Sequence, residues 1–462
     1  MPYMPITESM FLLAESREHP MHVGGLQLFE PPEGGADDLG QQMFEVFQSQ
    51  TDVHKLFRKR PASPVGIMGT VRWSYDSDVD FEYHIRRTVL PRPGRVRELL
   101  RYVSANHGAL LDRHRPMWEI HLIEGLADGR VALYTKIHHS LVDGVSALKL
   151  LEKTLSFDPD ARSGRAPWDP ELFAKRPKPD SSTDREVTRS ILSQGWKVAG
   201  ELAGFAPASA KVGLRAVRDH NLMLPMQAPR TMFNVPVGGA RRFAAEQWSA
   251  TRLRAVAAGL DITINDVVMA MCSGALRSYL IDQNALPDEP LIAMMPVSMH
   301  LKDSDSTEGN AVTAILANLA TDQPDPERRL ATLVDSTRSS KQVIRELSPL
   351  QALGFGAVVA APLAFSTLPG FVRYTPPPFN IIISNVPGPK DEMYWNGAKL
   401  DGVYPASIAL DGQALNITVA TNGDNVNFGL TGARAEVPSL QRLLTHLDTA
   451  LEELEKLCDT GA

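Results

Sequence analysis

Residues 131–155 change their apolar spacing partway along, and that change constrains the chain more than any other feature. Val131, Leu133, Thr135 and Ile137 alternate with Ala132, Tyr134 and Lys136, the period of a strand. From Val145 onward the spacing is Val145, Leu148, Leu151 and Leu155, the period of a helix. The sequence predicts a strand, a turn and a helix, with His138 and His139 where the period switches. If the strand persists through His139, the two imidazoles point to opposite faces and only one faces a given site. His139, nearer the turn, is the candidate base; His138 holds the loop or lines the site. An imidazole with a reference pKa of roughly 6.5 can take and return a proton near neutral pH. Asp143 lies four positions beyond His139, and Gly144 permits backbone conformations closed to other residues. A surface histidine pair with a helix-capping aspartate is the ordinary reading of such residues. The whole spacing, His-His-x-x-x-Asp-Gly at a strand-to-helix junction, is much harder to reach by chance.

The chain has 462 residues, enough for two or three ordinary domains with their own cores. A net charge of -7 argues against a nucleic-acid partner, which needs a basic face. Cys272 and Cys458 are too few for a disulfide framework or a cysteine-rich zinc site, and Cys272 sits in an apolar helix, which suits packing. The N-terminus lacks a basic segment leading into an apolar one, so no secretory signal is expected and a cytosolic origin fits. No Gly-x-Ser-x-Gly elbow, Walker loop or His-Glu-x-x-His occurs. With no covalent nucleophile in view, direct transfer is the simpler mechanism.

Ile120 to Ile123 and Val131 to Ile137 read as a hairpin that delivers the histidines, preceded by Pro116-Met117-Trp118, where Trp118 is expected to pack in the core. Residues 161–240 are rich in proline and polar residues, with a helix-like segment from about 186 to 217, and read as a crossover between domains at 1–160 and 241–462. In the second half Thr263 and Asp266 fit a capping box, and Asn265 between them offers an amide able to donate to a developing oxyanion. The stretch from Leu347 to Val372 carries no charged side chain. Its prolines and glycines suit two short helices packed in protein, with membrane-surface contact a weaker alternative. Gly356 and Ala360 are the small residues expected there to leave room for an alkyl chain. Near the end, Asn385-Val386-Pro387-Gly388-Pro389 follows a strand as a rigid turn, where Pro387 and Gly388 are structural and Asn385 is placed to orient a loop.

The His-His-x-x-x-Asp-Gly stretch resembles the motif of the CoA-dependent acyltransferase superfamily. Together with Pro-x-Trp at 116–118, Asn265-Asp266 and Asn-Val-Pro-Gly-Pro at 385–389, it resembles the bacterial wax ester synthase/acyl-CoA:diacylglycerol acyltransferase family, its marine hydrocarbon-degrader forms most of all. The resemblance implies an α/β fold of two chloramphenicol-acetyltransferase-like domains, mixed sheets flanked by helices, with a tunnel between them. It implies an O-acyltransferase that moves a long-chain acyl group from acyl-CoA to a fatty alcohol or diacylglycerol. His139 would be the base, with His138, Asp143 and Asn265 beside it and Gly144, Gly356, Ala360 and Asn385 toward substrate. No metal and no cofactor is implied, acyl-CoA being a substrate. A peripheral position on the inner membrane or on lipid inclusions is compatible with the family. The superfamily's aspartate usually sits in an ion pair, and Arg60 is the expected partner of Asp143. His300 stands where the family continues with arginine, which departs from its pattern. An amide-forming condensation enzyme and a non-catalytic lipid-droplet protein are the alternatives.

Overall fold

Among the described residues two six-stranded sheets carry the chain, and two strands from the second half, Tyr394–Trp395 and Ala398–Ala406, are built into the first sheet. The structure, a computed structural model, describes residues 3–32, 38–62, 72–174, 223–299, 311–366, 368 and 370–460. In chain order the first half has α1 (Ile6–Ala14), β1 (His22–Glu30), α2 (Leu39–Ser49), β2 (Lys59–Pro61), β3 (Trp73–Tyr75), α3 (Phe81–His84), β4 (Ile85–Val89), α4 (Val96–His107), β5 (Trp118–Glu124), β6 (Val131–His138) and α5 (Gly144–Glu152). The second half has β7 (Arg241–Ser249), α6 (Ala250–Gly259), α7 (Ile264–Asp282), β8 (Ile292–Met299), β9 (Ala311–Asn318), α8 (Pro326–Glu346), α9 (Pro349–Phe365) and α10 (Phe371–Tyr374). It closes with β10 (Ile381–Val386), β11 (Tyr394–Trp395), β12 (Ala398–Ala406), β13 (Leu415–Asn422), β14 (Asn425–Ala433) and α11 (Arg442–Thr460). The helix-like part of the expected crossover, residues 186–217, lies outside the described residues.

The first sheet has the order β11-β12-β1-β6-β5-β4, and both sheets mix parallel with antiparallel pairs. The hairpin forms as the alternation predicts, with β5 antiparallel to β6 and Trp118 opposite Ile137. Because side chains alternate across a strand, the two faces of this sheet differ. Trp118, Ile120, Leu122, Leu133 and Ile137 share one apolar cluster with Met43 and Phe47 of α2. The other face carries His22, Lys136, Glu119, His121 and Tyr134, all buried; Leu26 and Tyr134 of that face pack with Leu99 and Val103 of α4.

The second sheet has the order β7-β14-β13-β10-β8-β9. Its largest cluster joins Ile383, Ile417, Phe428 and Leu430 to Met271 and Leu276 of α7 and Leu443, Leu447 and Leu451 of α11. Cys272 is packing material in this core, and burial pushes its thiol up to about 12. Strand β12 joins the halves. It pairs antiparallel with β1, while Tyr404 Oη donates to Gln247 Oε1 at 2.7 Å and Asn425 Nδ2 donates to the Asp401 carbonyl at 2.8 Å. Gly429 of β14 faces the Pro405 carbonyl so closely that a Cβ would lie 1.9 Å from that oxygen, so glycine is what lets the two sheets meet.

Candidate active site

Strand β6 ends at His138, and the chain turns at His139. The two rings diverge accordingly. His138 is fully buried, whereas His139 keeps partial access to solvent. The His139 N–H donates to the Met21 carbonyl at 2.8 Å, and Phe11 of α1 stacks on the imidazole with centroids 4.1 Å apart. Burial lowers the His139 pKa to about 4; the Asp143 charge pulls upward and His138 pulls further down. His139 is therefore neutral at pH 7 and half-buried at the turn.

His138 is hydrogen-bonded at Nδ1, and its Nε2 faces Glu15. Nδ1 accepts the Ser140 N–H at 3.1 Å and lies 2.7 Å from Ser140 Oγ. A nitrogen that accepts a backbone N–H carries no proton, so the ring proton sits on Nε2, 3.3 Å from Glu15 Oε1. Glu15 caps the C-terminal end of α1 and is itself buried. Its Oε1 accepts the Met21 N–H at 3.2 Å and its Oε2 accepts Arg113 Nε at 2.9 Å. Burial alone would raise the Glu15 pKa, but His138, Arg113 and the Met21 N–H outweigh it and hold the carboxyl below its ordinary value. One carboxylate thus fixes His138 directly and, through the two ends of Met21, the backbone of His139. Sequence reasoning missed Phe11, Glu15, Met21 and Arg113. A charged residue just past an apolar helix hinted at Glu15, but nothing local ties it to Arg113.

Asp143 does not make the expected ion pair with Arg60. It is exposed and caps α5, accepting the Ser146 N–H at 2.8 Å and the Ser146 hydroxyl at 3.1 Å. Arg60 instead points its Nε toward Asp76 Oδ2 at 3.5 Å, because the β2–β3 pairing sets Arg60 opposite Ser74 and brings Asp76, two residues on, within reach. His300, where the family's arginine would stand, lies outside the described residues. Gly144 has no left-handed backbone, contrary to expectation, and a Cβ there would meet nothing within 4 Å. The glycine leaves open space at the head of α5 rather than permitting a strained turn.

Asn265 and Asn385, 120 residues apart, come together: Asn385 Nδ2 donates to Asn265 Oδ1 at 3.2 Å. That bond orients the Asn265 amide and leaves its Nδ2 as a donor. The capping box around it forms as read, with Thr263 and Asp266 bonding each other's backbone. Val145 and Leu148 of α5 pack with Val386 and Ala420, so the helix launched from the histidine turn abuts the strand end that carries Asn385. Gly388 lies so close to the Thr421 carbonyl that a Cβ would stand 2.0 Å from it, and Pro387 precedes it in the exposed turn.

Of the two residues expected to leave pocket space, Gly356 is placed otherwise. Gly356 lets α9 press on β9, where a Cβ would lie 2.7 Å from Thr313 Oγ1, so it leaves no room for an alkyl chain. Ala360 is half-buried on the same helix, next to Val359, which packs with Ile292 and Phe379. Part of the uncharged stretch, Pro362, Leu363, Phe371 and Val372, lines a small cavity of about 20 Å³, too small for an alkyl chain. Helix α9 is longer and more exposed than expected, with Val358 and Phe365 half in solvent. Trp118 packs in the core, stacked on His84, and its Nε1 donates to the Phe57 carbonyl at 2.8 Å. Among the described residues no group of three or more His, Cys, Asp or Glu could hold a metal.

Residues 4–268 match the wax ester synthase/diacylglycerol acyltransferase catalytic domain, and residues 308–455 match the WS/DGAT C-terminal domain. A Mycobacterium tuberculosis protein named a probable diacylglycerol O-acyltransferase is 50% identical, with 99% of each chain covered. The O-acyltransferase WSD of Acinetobacter baylyi is 41% identical over 98% of this chain and 97% of its own. The solved wax ester synthase/diacylglycerol acyltransferase of Marinobacter aquaeolei superposes with a TM-score of 0.78 at 41% identity, covering 99% of this chain and all of that one. The mycobacterial relative is thus nearer than the marine one, against the affinity expected from the motifs. Condensation domains of peptide synthetases share the fold at 12% to 14% identity, for example with a TM-score of 0.59. The chain belongs to the wax ester synthase/diacylglycerol acyltransferase family of O-acyltransferases.

Proposed function

We propose that the protein esterifies a long-chain alcohol or diacylglycerol with the acyl group of acyl-CoA, using His139 as general base. The observation that carries this reading is a neutral, partly accessible His139 whose backbone and ring are both clamped. Nε2 or Nδ1 of that ring takes the hydroxyl proton while the oxygen attacks the thioester carbonyl carbon. The Asn265 amide, oriented by Asn385, donates to the tetrahedral oxyanion. As the carbon–sulfur bond breaks, the His139 imidazolium returns its proton to the CoA thiolate, leaving ester and free thiol. A ring whose pKa burial holds near 4 is a strong acid once protonated, which favours that return step. A positioned base contributes roughly 10²–10⁴-fold. His139→Ala is expected to lose thiol release by that factor while its unfolding midpoint stays near wild type. Near-normal release in that variant removes the base assignment, and amide formation from an amine at ester-like rates would favour a condensation enzyme.

Contact with a lipid surface is part of the same reading. Val358, Phe365 and Leu368 are each half exposed, Tyr374 is 80% exposed, and Arg373 lies among them. Among the described residues no single helix is long and apolar enough to cross a membrane, and the contact proposed is peripheral. Phe365→Asp should reduce co-sedimentation with phospholipid vesicles; unchanged sedimentation would rule this face out.

A further inference from the structure

Two open cavities of about 600 and 500 Å³ lie where α4 meets the start of β7. They share Arg101, Ser104 and Arg242 and so form one groove between the two halves. Arg17, Arg97, Arg101, Arg242 and Arg434 line it, all exposed. None of the five has an acidic partner among the described residues, and Glu246 is the one carboxylate among the residues lining the groove. In a chain of net charge -7, such a run of unpaired guanidinium groups is a local reversal of sign. Unpaired like charges repel, and a groove that concentrates them suits a multiply charged anion. Arginine is also the side chain whose planar fork matches phosphate oxygens.

The groove is linked to the histidine turn along the chain. Arg17 follows Glu15 by two residues and precedes Met21 by four, and Gly239 packs so tightly on the Arg17 carbonyl that a Cβ would lie 2.4 Å from it. The carbonyl of Ala109, which lines the groove, accepts Lys136 Nζ at 2.6 Å, two residues before His138 on β6. We propose that this arginine-lined groove binds the phosphates of the acyl-CoA donor. The inference rests on the acyl-transfer reading above. The charge lines a concavity, which fits a small polyanion better than the flat face of a bilayer.

The test compares acyl-CoA with an acyl-N-acetylcysteamine thioester, which carries the same reacting bond and no phosphate. The protein is assayed as wild type, Arg101→Glu and Arg242→Glu, reading the ratio of kcat/KM for the two donors. Each substitution should cut the preference for acyl-CoA about tenfold, the worth of one charge-assisted hydrogen bond, and raising the salt should erode the wild-type preference. An unchanged ratio in both variants overturns the assignment. So does loss of binding to anionic vesicles with the ratio intact, which would give the groove to a lipid headgroup. If wild type uses neither thioester, the acyl-transfer reading fails, and calorimetry with free CoA then judges the groove alone. CoA binding that the variants lose supports it; no binding to wild type overturns it.

Discussion

The two sheets solve the problem of a buried face in opposite ways. In the second half, the core between β13, β14, α7 and α11 is apolar throughout, as in Ile417, Phe428, Leu447 and Leu451. In the first half, the face of β1, β5 and β6 nearest the histidine turn buries His22, Glu119, His121, Lys136 and His138 together. Buried polar groups are costly unless paired, and most of these are, with His22 Nδ1 and His138 Nε2 the exceptions. His22 Nε2 meets the His107 carbonyl at 2.9 Å, His107 Nδ1 meets Tyr134 Oη at 2.8 Å, and His107 Nε2 reaches the Ser407 carbonyl in the second half at 2.8 Å. His121 bridges Tyr102 Oη and Glu119. An apolar core gives stability without direction, whereas a hydrogen-bonded layer fixes where each ring points. The half that holds the proposed base has the directional interior; the other half is a scaffold that carries the Asn265 and Asn385 amides.

Acid should separate the two halves most sharply. Burial lowers His107 to about 4 and His22 well below its ordinary value, with the Lys136 charge adding to the effect on both, and it brings His139 to about 4. Unfolded, each would titrate near 6.5. The unfolded chain therefore binds more protons between about pH 6.5 and 4. Stability contributed by the neutral rings is complete above 6.5 and is lost as the pH falls through that window, at about 1.4 kcal/mol per pH unit for each proton. The unfolding midpoint should drop steeply from pH 6.5 to 4, and His107→Gln should flatten the slope by about one proton. A slope unaffected by that change would mean the polar layer is not what acid attacks. Activity itself should persist well below pH 6.5, since His139 stays neutral there.

Removing one charge from the histidine turn is the next largest test. Glu15→Gln leaves Arg113 without its buried carboxylate and should cost about 3 kcal/mol, the low end for breaking such a pair because Arg113 is a quarter exposed. It should also lower kcat about 10²-fold by letting the His139 backbone shift, with KM for the alcohol little changed. Leu447→Ala in the apolar core should cost a similar 2–5 kcal/mol and leave kcat of the folded protein at the wild-type value. If both variants lose activity alike, Glu15 is structural filler and the contrast between the interiors has no catalytic meaning.

The strand, turn and helix from Val131 to Glu152 were legible because period is a local property, and so were the capping box at Thr263 and the hairpin that carries the histidines. The motif resemblance singled out Asn265 and Asn385 separately. What could not be read was which distant partner meets which. Glu15 finds Arg113 across 98 residues, and β12 returns to pair with β1 although its alternation looks like that of any strand after Asn385. Arg60 was assigned to Asp143 on charge alone, and the local β2–β3 pairing gave it to Asp76. Gly356 shows the same limit: a small residue in an apolar helix reads equally as space for a ligand or as space for a strand, and only the packing of α9 on β9 decides.

The smallest effect expected is at Asp143, and it bears on how the turn is held. A buried, ion-paired aspartate would make Asp143→Ala lose the fold. An exposed helix cap predicts a loss of only about 1 kcal/mol. The difference is measurable by chemical denaturation of the single variant. Asp143→Asn keeps an oxygen to accept the Ser146 N–H and should recover most of that stability. Because the Asp143 charge is the main influence opposing burial at His139, the same substitution should lower the His139 pKa further and move the acid limb of kcat to lower pH. Loss of the fold in Asp143→Ala would instead point to a charged partner for this carboxylate, and would put it inside the directional interior rather than on its rim.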